Sequence, residues 1–179
     1  GAKDFRLLQN SPGIDSGVVL NFSRDFSGNY VPQGNAPDIG AYEFLNVTYN
    51  NFDGATTNLS SLDSSNINNF ILEKTGKGKI QFSSPLNLSN GFDFNSRVII
   101  SDNNIEINSS LSPALNKSAT LTLYDLGYSD PDILRDGADC PSNVCNKISY
   151  SNRNLVFSVS GFSKYSARES SGIGGTTTS

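Results

Sequence analysis

The amino-acid sequence predicts an all-β fold in which an antiparallel β-sandwich is the main unit. The composition is the first reason: Ser, Asn and Gly account for 28, 22 and 16 of the 179 residues. Ser and Asn compete with the hydrogen bonds of helices, and Gly costs backbone entropy there, so this mixture favours turns and short strands. The second reason is the alternation of apolar and polar residues in short runs separated by turn signals, which is typical of half-buried strands.

The predicted strands follow one another from residue 79 to residue 166. Two pairs are joined by turn-forming tetrapeptides, Ser101–Asn104 and Ser151–Asn154, and are therefore expected to be hairpins. Seven or eight short strands with turns every 8–12 residues indicate a β-sandwich. The clearest runs are Lys79–Phe82, Val98–Ile100, Ile105–Ile107, Ala119–Tyr124, Ile148–Tyr150, Leu155–Val159 and Phe162–Ser166.

Residues 1–45 contain too few apolar positions to form a core of their own. Short strand-like pieces, Asp4–Leu8 and Val18–Phe22, alternate there with turn-rich segments. The motifs Ser11–Gly17 and Pro37–Glu43 resemble the closing segment of right-handed parallel β-helix proteins, the choice-of-anchor and pectate-lyase-like surface proteins. This resemblance implies terminal coils that cap a stack. The full expectation is therefore the terminal coils of a right-handed parallel β-helix plus an antiparallel β-sandwich.

The later part of the chain contains Leu115–Tyr124, Pro131–Gly137, the Cys140/Cys145 loop and Phe157–Ser166. Together these segments resemble β-sandwich modules of large exported archaeal proteins, over about 110 residues. This resemblance implies an archaeal or archaeal-like surface protein whose modules have no assigned role.

Four regions are predicted along the chain. They are a β-helix closing segment at 1–45, a linker at 46–57, a β-sandwich domain at 58–169 and a flexible Gly/Thr/Ser tail at 170–179. A helix over Leu59–Leu72 is a weaker alternative, because Asn66, Asn68 and Asn69 interrupt it. The two ends are expected to be cut from a longer exported protein.

Several classes of function conflict with the composition. The sequence has no His, Met or Trp, so it lacks the usual general base near neutral pH and the commonest metal ligand. The net charge of −4 disfavours binding to nucleic acid. No apolar run approaches the roughly 20 residues of a membrane-spanning helix. The chain is therefore expected not to be an enzyme, not to bind nucleic acid and to carry no membrane-spanning segment.

Two cysteines, Cys140 and Cys145, enclose the turn formers Pro141, Ser142 and Asn143. Two thiols without His cannot supply a four-ligand zinc site, so the pair forms either a small disulfide loop or two free thiols. The turn formers favour the disulfide. A disulfide implies an extracellular, cell-surface or periplasmic location.

Six acceptor motifs for N-glycosylation have the form Asn-x-Ser/Thr. The Asn-rich and Ser-rich composition accounts for most of this number, so glycosylation is an expectation for exported material only. The acceptor residues are Asn21, Asn46, Asn58, Asn87, Asn108 and Asn116.

One acidic cluster leaves two interpretations open. The carboxylates are either calcium ligands or turn residues that accept local backbone hydrogen bonds. The spacing departs from the helix-loop-helix calcium pattern, since Leu134 stands at an oxygen-ligand position. The cluster consists of Asp125, Asp130, Asp132, Asp136 and Asp139.

Other side chains are weaker candidates for chemistry. Asp15, Asp25, Asp38 and Glu43 could act in pairs in glycoside hydrolysis, but they fit turns equally well. Lys74, Lys77 and Lys79 are expected to form a solvated edge that discourages strand pairing. Tyr124, Tyr128, Tyr150 and Tyr165 could stack on sugars, although core or rim packing is the favoured reading.

These observations together predict a non-enzymatic structural or adhesive module of an exported cell-surface protein. The expected partners are the rest of the parent chain or other copies of the same chain, which could form a head-to-tail fibre. Two alternatives stay open: a carbohydrate-binding accessory module of a polysaccharide-degrading enzyme, and a calcium-dependent adhesin domain. No cofactor is expected, apart from calcium under the second alternative.

Overall fold

The computed structural model describes residues 6–8, 11–26, 28, 31–32, 35–44, 47–59, 62, 64, 66–88 and 91–171. Within this part of the chain, two five-stranded sheets form the body of the protein. All strand pairs in these two sheets are antiparallel. The all-β, antiparallel prediction is therefore confirmed.

The first sheet has the strand order β10-β11-β7-β3-β2. Its strands are β2 (Ile71–Lys74), β3 (Gly78–Phe82), β7 (Ala119–Leu123), β10 (Cys145–Ser151) and β11 (Asn154–Val159). The turn between β10 and β11 is set by Asn152 and Arg153, which both have positive φ (48° and 64°). Two such residues make the tight hairpin turn that matches the twist of the strands.

The second sheet has the order β5-β6-β12-β8-β9. Its strands are β5 (Val98–Ser101), β6 (Asn104–Ile107), β8 (Pro131–Arg135), β9 (Ala138–Asp139) and β12 (Lys164–Glu169). The chain reverses between β8 and β9 at Asp136 and Gly137, again with two positive φ angles. A short parallel pair, β1 (Val47–Thr48) with β4 (Phe92–Asp93), lies outside both sheets.

The core lies between the two sheets, because alternate residues of their strands point inward. In β3, for example, Gly78, Ile80 and Phe82 are buried while Lys79 and Gln81 are partly exposed. Gly78 is required by packing, since a Cβ there would lie 2.8 Å from the carbonyl oxygen of Thr122 in β7. The largest fully buried side chains are Tyr165, Phe70, Phe82, Phe94, Phe157, Leu72, Ile80, Leu86, Leu88, Ile105, Ile107 and Leu115.

Helices contribute little to the described fold. The predicted helix over Leu59–Leu72 does not form in its described part: Ile67 bridges Leu86 antiparallel, and β2 begins at Ile71. Two single turns are present instead, α1 (Phe94–Arg97) and a 3-10 turn (Pro113–Leu115). Neither helix is long enough to cross a bilayer, and no described helix meets that requirement.

The resemblance to the end of a parallel β-helix is wrong. The described residues between 6 and 44 form no strand, and their only ladder position is an isolated bridge at Arg24. Among the twelve strands of the described residues, only β1 and β4 pair in parallel, over two residue pairs. The physical reason is that turns and the carboxylates of Asp and Glu side chains, and not strand ladders, accept backbone N–H groups of this segment, as described below. The predicted boundaries at 45, 57 and 169 stay predictions, and residues 172–179 of the predicted tail lie outside the described residues.

Candidate interaction surface

An unusually apolar surface covers the segment from residue 8 to residue 39. Among the described residues, eleven large apolar side chains are exposed, and seven of them belong to this segment. Phe26 is 82% exposed and Val18 is 77% exposed. We call this set the apolar face; its members are Leu8, Val18, Val19, Leu20, Phe22, Phe26 and Ile39.

The apolar face opens into a groove with a volume of about 810 Å³. Val18, Leu20 and Phe22 line the groove, whereas the intervening Val19 and Asn21 do not. The run is not a straight strand, because the chain bends at Asn21. The run 18–22 presents an apolar side to the groove and a second side to solvent.

The facing side of the groove is formed by residues 37–43. It contributes Ile39, Ala41 and the ring of Tyr42. The Tyr42 ring meets Phe26 edge-on, with 5.8 Å between centroids, and the Arg6 guanidinium lies 5.2 Å from the Tyr42 centroid. These contacts hold an aromatic surface open to solvent, which makes the groove suited to apolar groups.

Backbone hydrogen bonds close the groove at both ends. Gly17 N–H donates to the carbonyl of Pro37 (2.6 Å), and Phe26 N–H donates to that of Ala41 (2.9 Å). A Cβ at position 17 would lie 2.7 Å from the Pro37 oxygen, so only glycine allows this approach. The groove is therefore framed by the backbone of the segment itself.

Carboxylates, and not strand ladders, organise this segment. Asp38 Oδ1 accepts from Asp15 N–H (2.8 Å), and Asp38 Oδ2 accepts from Phe44 N–H. Glu43, which is buried, accepts from Asp38 N–H (3.0 Å), and its own N–H donates to Asp25 Oδ2 (2.9 Å). The four carboxylates proposed for glycoside hydrolysis therefore lie close together, but as acceptors for backbone amides.

The acidic cluster of residues 125–139 is engaged mainly by cationic side chains. Asp130 is 2.5 Å from Lys147 Nζ, and Asp139 is 2.6 Å from Arg168 Nη2. Asp125, at positive φ, is 2.9 Å from Arg153 Nε. These three carboxylates make ion pairs with separate cations instead of converging on one point.

Asp136 combines a turn position with a strong acceptor role. The Ser163 hydroxyl donates to it, and this contact is the main reason that the pKa of Asp136 lies below its usual value. Asp132 lies in β8, in register with Arg168 of β12. No group of three or more His, Cys, Asp or Glu residues in the described chain could hold a metal ion. The calcium hypothesis therefore has no carboxylate cluster among the described residues to support it, and it stays a prediction.

The tyrosines proposed as sugar platforms serve internal packing. Tyr165 is fully buried, with its hydroxyl donating to Gly161 O (2.6 Å). Tyr150 is half-buried, and its single hydroxyl proton is shared between the carbonyls of Leu126 and Tyr128; the Tyr128 hydroxyl accepts from Asn103. Tyr124 donates to Glu73 Oε1 (2.7 Å), and burial together with this carboxylate raises the pKa of Tyr124. Among the residues that the structure describes, the exposed aromatic rings are instead Phe22 and Phe26.

The three predicted edge lysines are dispersed. Lys74 is exposed on β2, the edge strand of the first sheet, while Lys79 lies in the neighbouring strand β3. Lys77, in the turn between them, pairs with Asp102 at 2.7 Å. Of the three, only Lys74 belongs to the sheet edge.

The disulfide between Cys140 and Cys145 is present, as predicted. It closes the loop between β9 and β10, where Val144 and Cys145 N–H both donate to Pro141 O.

Five of the six acceptor asparagines are described, and all five are exposed; Asn46 lies outside the described residues. Asn108 and Asn116 use their side-chain oxygens to accept backbone N–H groups, which leaves glycosylation an untested prediction.

Three features of the structure were not predicted: two polar links and the apolar face. Glu73 connects the 53–57 loop to Tyr124, and Asn103 binds both the N–H and the carbonyl of Ala167 in β12. A lone acidic residue in a strand and an Asn in a turn carry no signal of such roles. The apolar face was missed because Val18–Phe22 reads as an ordinary buried strand.

Comparison with known proteins gives no family. No family model matches the chain, and no curated protein matches it. One similar solved structure is the C-terminal domain of the nuclear pore complex component NUP116 from Candida glabrata, with a TM-score of 0.41 and 17% identity over 57% of this chain and 83% of that chain. Likeness at this level carries no argument about function. Neither resemblance inferred from the sequence, to β-helix proteins or to archaeal surface modules, is upheld; the sandwich architecture stands without a family.

Proposed function

We propose that the chain is a non-enzymatic structural or adhesive module that docks onto other proteins through its apolar face. The observation that carries this proposal is the concentration of seven exposed apolar side chains on one segment. Single exposed apolar residues are ordinary, but a contiguous apolar patch beside a groove is typical of an interaction surface.

The groups available for chemistry support a non-catalytic role. The sequence contains no His, and the carboxylates nearest the groove accept hydrogen bonds from backbone amides. These hydrogen bonds hold the carboxylate oxygens against the backbone of the segment. Asp25, Asp38 and Glu43 are therefore assigned to holding the shape of the segment.

The location proposed is outside the cytoplasm. The Cys140–Cys145 disulfide supports an oxidising compartment, because such bonds rarely persist in reducing ones. The abundance of Ser and Asn and the scarcity of charge agree with an exported surface module. An adhesive role would be exercised there, between the chain and the surfaces around it.

Bead clustering tests the proposal. Beads carrying the chain are mixed with identical beads, with bare polystyrene beads and with beads carrying a β-glucan. We expect the first two mixtures to cluster, and we expect the combined Phe22→Ser and Phe26→Ser variant to abolish clustering. Both rings are exposed, so the free energy of unfolding should change by at most about 0.5 kcal/mol at Phe22, and by up to about 1.5 kcal/mol at Phe26, whose ring also contacts Tyr42.

The matched control is Leu111→Ser, because Leu111 is 65% exposed on the sandwich and Phe22 is 68% exposed on the apolar face. This control should cluster like the parent. Clustering that persists in the double variant would contradict the proposal. Clustering with β-glucan beads alone, insensitive to the substitutions, would favour the carbohydrate-binding alternative instead.

A further inference from the structure

The 53–57 loop lies along β2, the edge strand of the first sheet, where a sixth strand would lie. Asp53 forms an isolated antiparallel bridge with Glu73, and its N–H donates to Glu73 O (2.8 Å). Further along the loop, Thr57 N–H donates to Ile71 O (3.0 Å). The loop therefore binds the outer edge of β2 at both of its ends.

The loop departs from the geometry of a regular strand. Partners in an antiparallel pair move two residues in opposite directions, so the bridge to Glu73 would place Ala55 opposite Ile71. Thr57 donates to Ile71 instead, which means that the loop contains two inserted residues. Gly54, with a φ of 54°, allows the resulting turn, and a Cβ there would lie 2.7 Å from Glu73 Oε2.

Threonine hydroxyls accept the hydrogen bonds that the carbonyls of a regular strand would accept. Thr56 Oγ1 accepts from Glu73 N–H, and Thr57 Oγ1 accepts from Ile71 N–H, each at 2.9 Å. The N–H groups and the carbonyls of both β2 residues are thus engaged by the loop. These are the groups through which an open edge pairs with the strand of another chain.

Apolar side chains hold the loop on either side of its hydrogen bonds. Phe52 packs against the core, and Leu59 is buried in it. Residues 53–55, between these two positions, are exposed. The contacts between the loop and β2 can therefore be broken without removing a core side chain.

We infer that the 53–57 loop is a built-in block that keeps β2 from accepting a strand of another chain. This inference goes beyond the proposed function and does not depend on the apolar face. The opposite edge of the first sheet, β10, is irregular by another means, since its register shifts between Lys147 and Ser149. Bulges and covering loops are two of the ways in which proteins prevent edge-to-edge pairing.

Hydrogen exchange of single amides tests the block. Thr56→Val removes the hydroxyl acceptor of Glu73 N–H, and Thr57→Val removes that of Ile71 N–H, while a branched side chain of similar size is kept. We expect each substitution to accelerate exchange at its own partner on the order of tenfold, and exchange at Leu72, whose N–H faces β3, by less than about twofold. Equal acceleration at all three amides, or none at the two partners, would overturn the inference.

Association of the variant that carries both valines is the second measurement. Every full-length chain in this experiment also carries Phe22→Ser and Phe26→Ser, so that contacts through the apolar face do not contribute. We expect Thr56→Val with Thr57→Val to form dimers or larger species in sedimentation velocity, at concentrations where the chain with only the two serines is monomeric.

The matched control is Thr48→Val with Thr120→Val, which removes two hydroxyls from β1 and β7, outside the 53–57 loop. This control should stay monomeric. A double-valine loop variant that is monomeric, or a control that associates to the same extent, would overturn the inference even where exchange is accelerated. Because all these chains lack the two exposed rings, such a result would leave bead clustering through the apolar face untouched, and the two proposals can fail separately.

Discussion

Removing the Glu73 carboxylate should destabilise the sandwich through two hydrogen bonds at once. Glu73 is half-buried on the edge strand β2, where Oε2 accepts from Ala55 N–H (2.6 Å) and Oε1 accepts from the Tyr124 hydroxyl (2.7 Å). A hydrogen bond to a charged group contributes about 1.5–3 kcal/mol, and partial solvent exposure places these two toward the lower end. We therefore expect Glu73→Ala to lower the free energy of unfolding by about 3 kcal/mol.

Urea unfolding of Glu73→Ala, Tyr124→Phe and the double variant measures the energetic coupling between the two side chains. Tyr124→Phe deletes only the hydroxyl and should cost about 1.5 kcal/mol in the parent. In the Glu73→Ala background it should cost little, because its acceptor is already gone. A Tyr124→Phe cost that is the same in both backgrounds would refute the assignment of Glu73 as the link between the 53–57 loop and β7.

Three further results are expected. Phe157→Ala, in the fully buried core, should cost about 3–5 kcal/mol in urea unfolding, whereas Ile148→Ala, at an exposed site, should change stability by at most about 0.5 kcal/mol. The pKa of Asp136 is lower in the folded state, so its contribution to stability is present above the unfolded pKa near 3.8 and is lost as the pH falls through the folded value. Asp136→Asn should therefore flatten the decrease of the melting temperature at acid pH. An unchanged decrease would exclude this contribution. Replacing both half-cystines with serine should cost roughly 2 kcal/mol, because the disulfide closes only a short loop, and a cost near zero in calorimetry would show that the turn holds without it.

The alternation of apolar residues predicted most of the sandwich, because alternation is a direct consequence of half-burial. It located β3, β5, β6, β7 and β11 nearly to the residue. It missed β8, whose sequence Pro131–Arg135 follows an acidic, turn-like stretch and has only one buried residue. It also missed β2, since the Asn residues before it suggested either a loop or a weak helix.

The candidate surface could not be predicted for a different reason. An alternation of apolar and polar residues predicts that one face of a strand is buried. It does not show whether residues of the same chain cover that face. Val18–Phe22 and Ala119–Leu123 are both short apolar runs, yet only the second has hydrogen-bonded neighbours on both sides, β3 and β11. Whether a strand gains neighbours depends on contacts between residues far apart in the sequence. A local alternation of apolar and polar residues carries no information about those contacts. The motif resemblance at residues 11–43 added a wrong answer, because its Pro, Gly and Asp residues favour turns in any context.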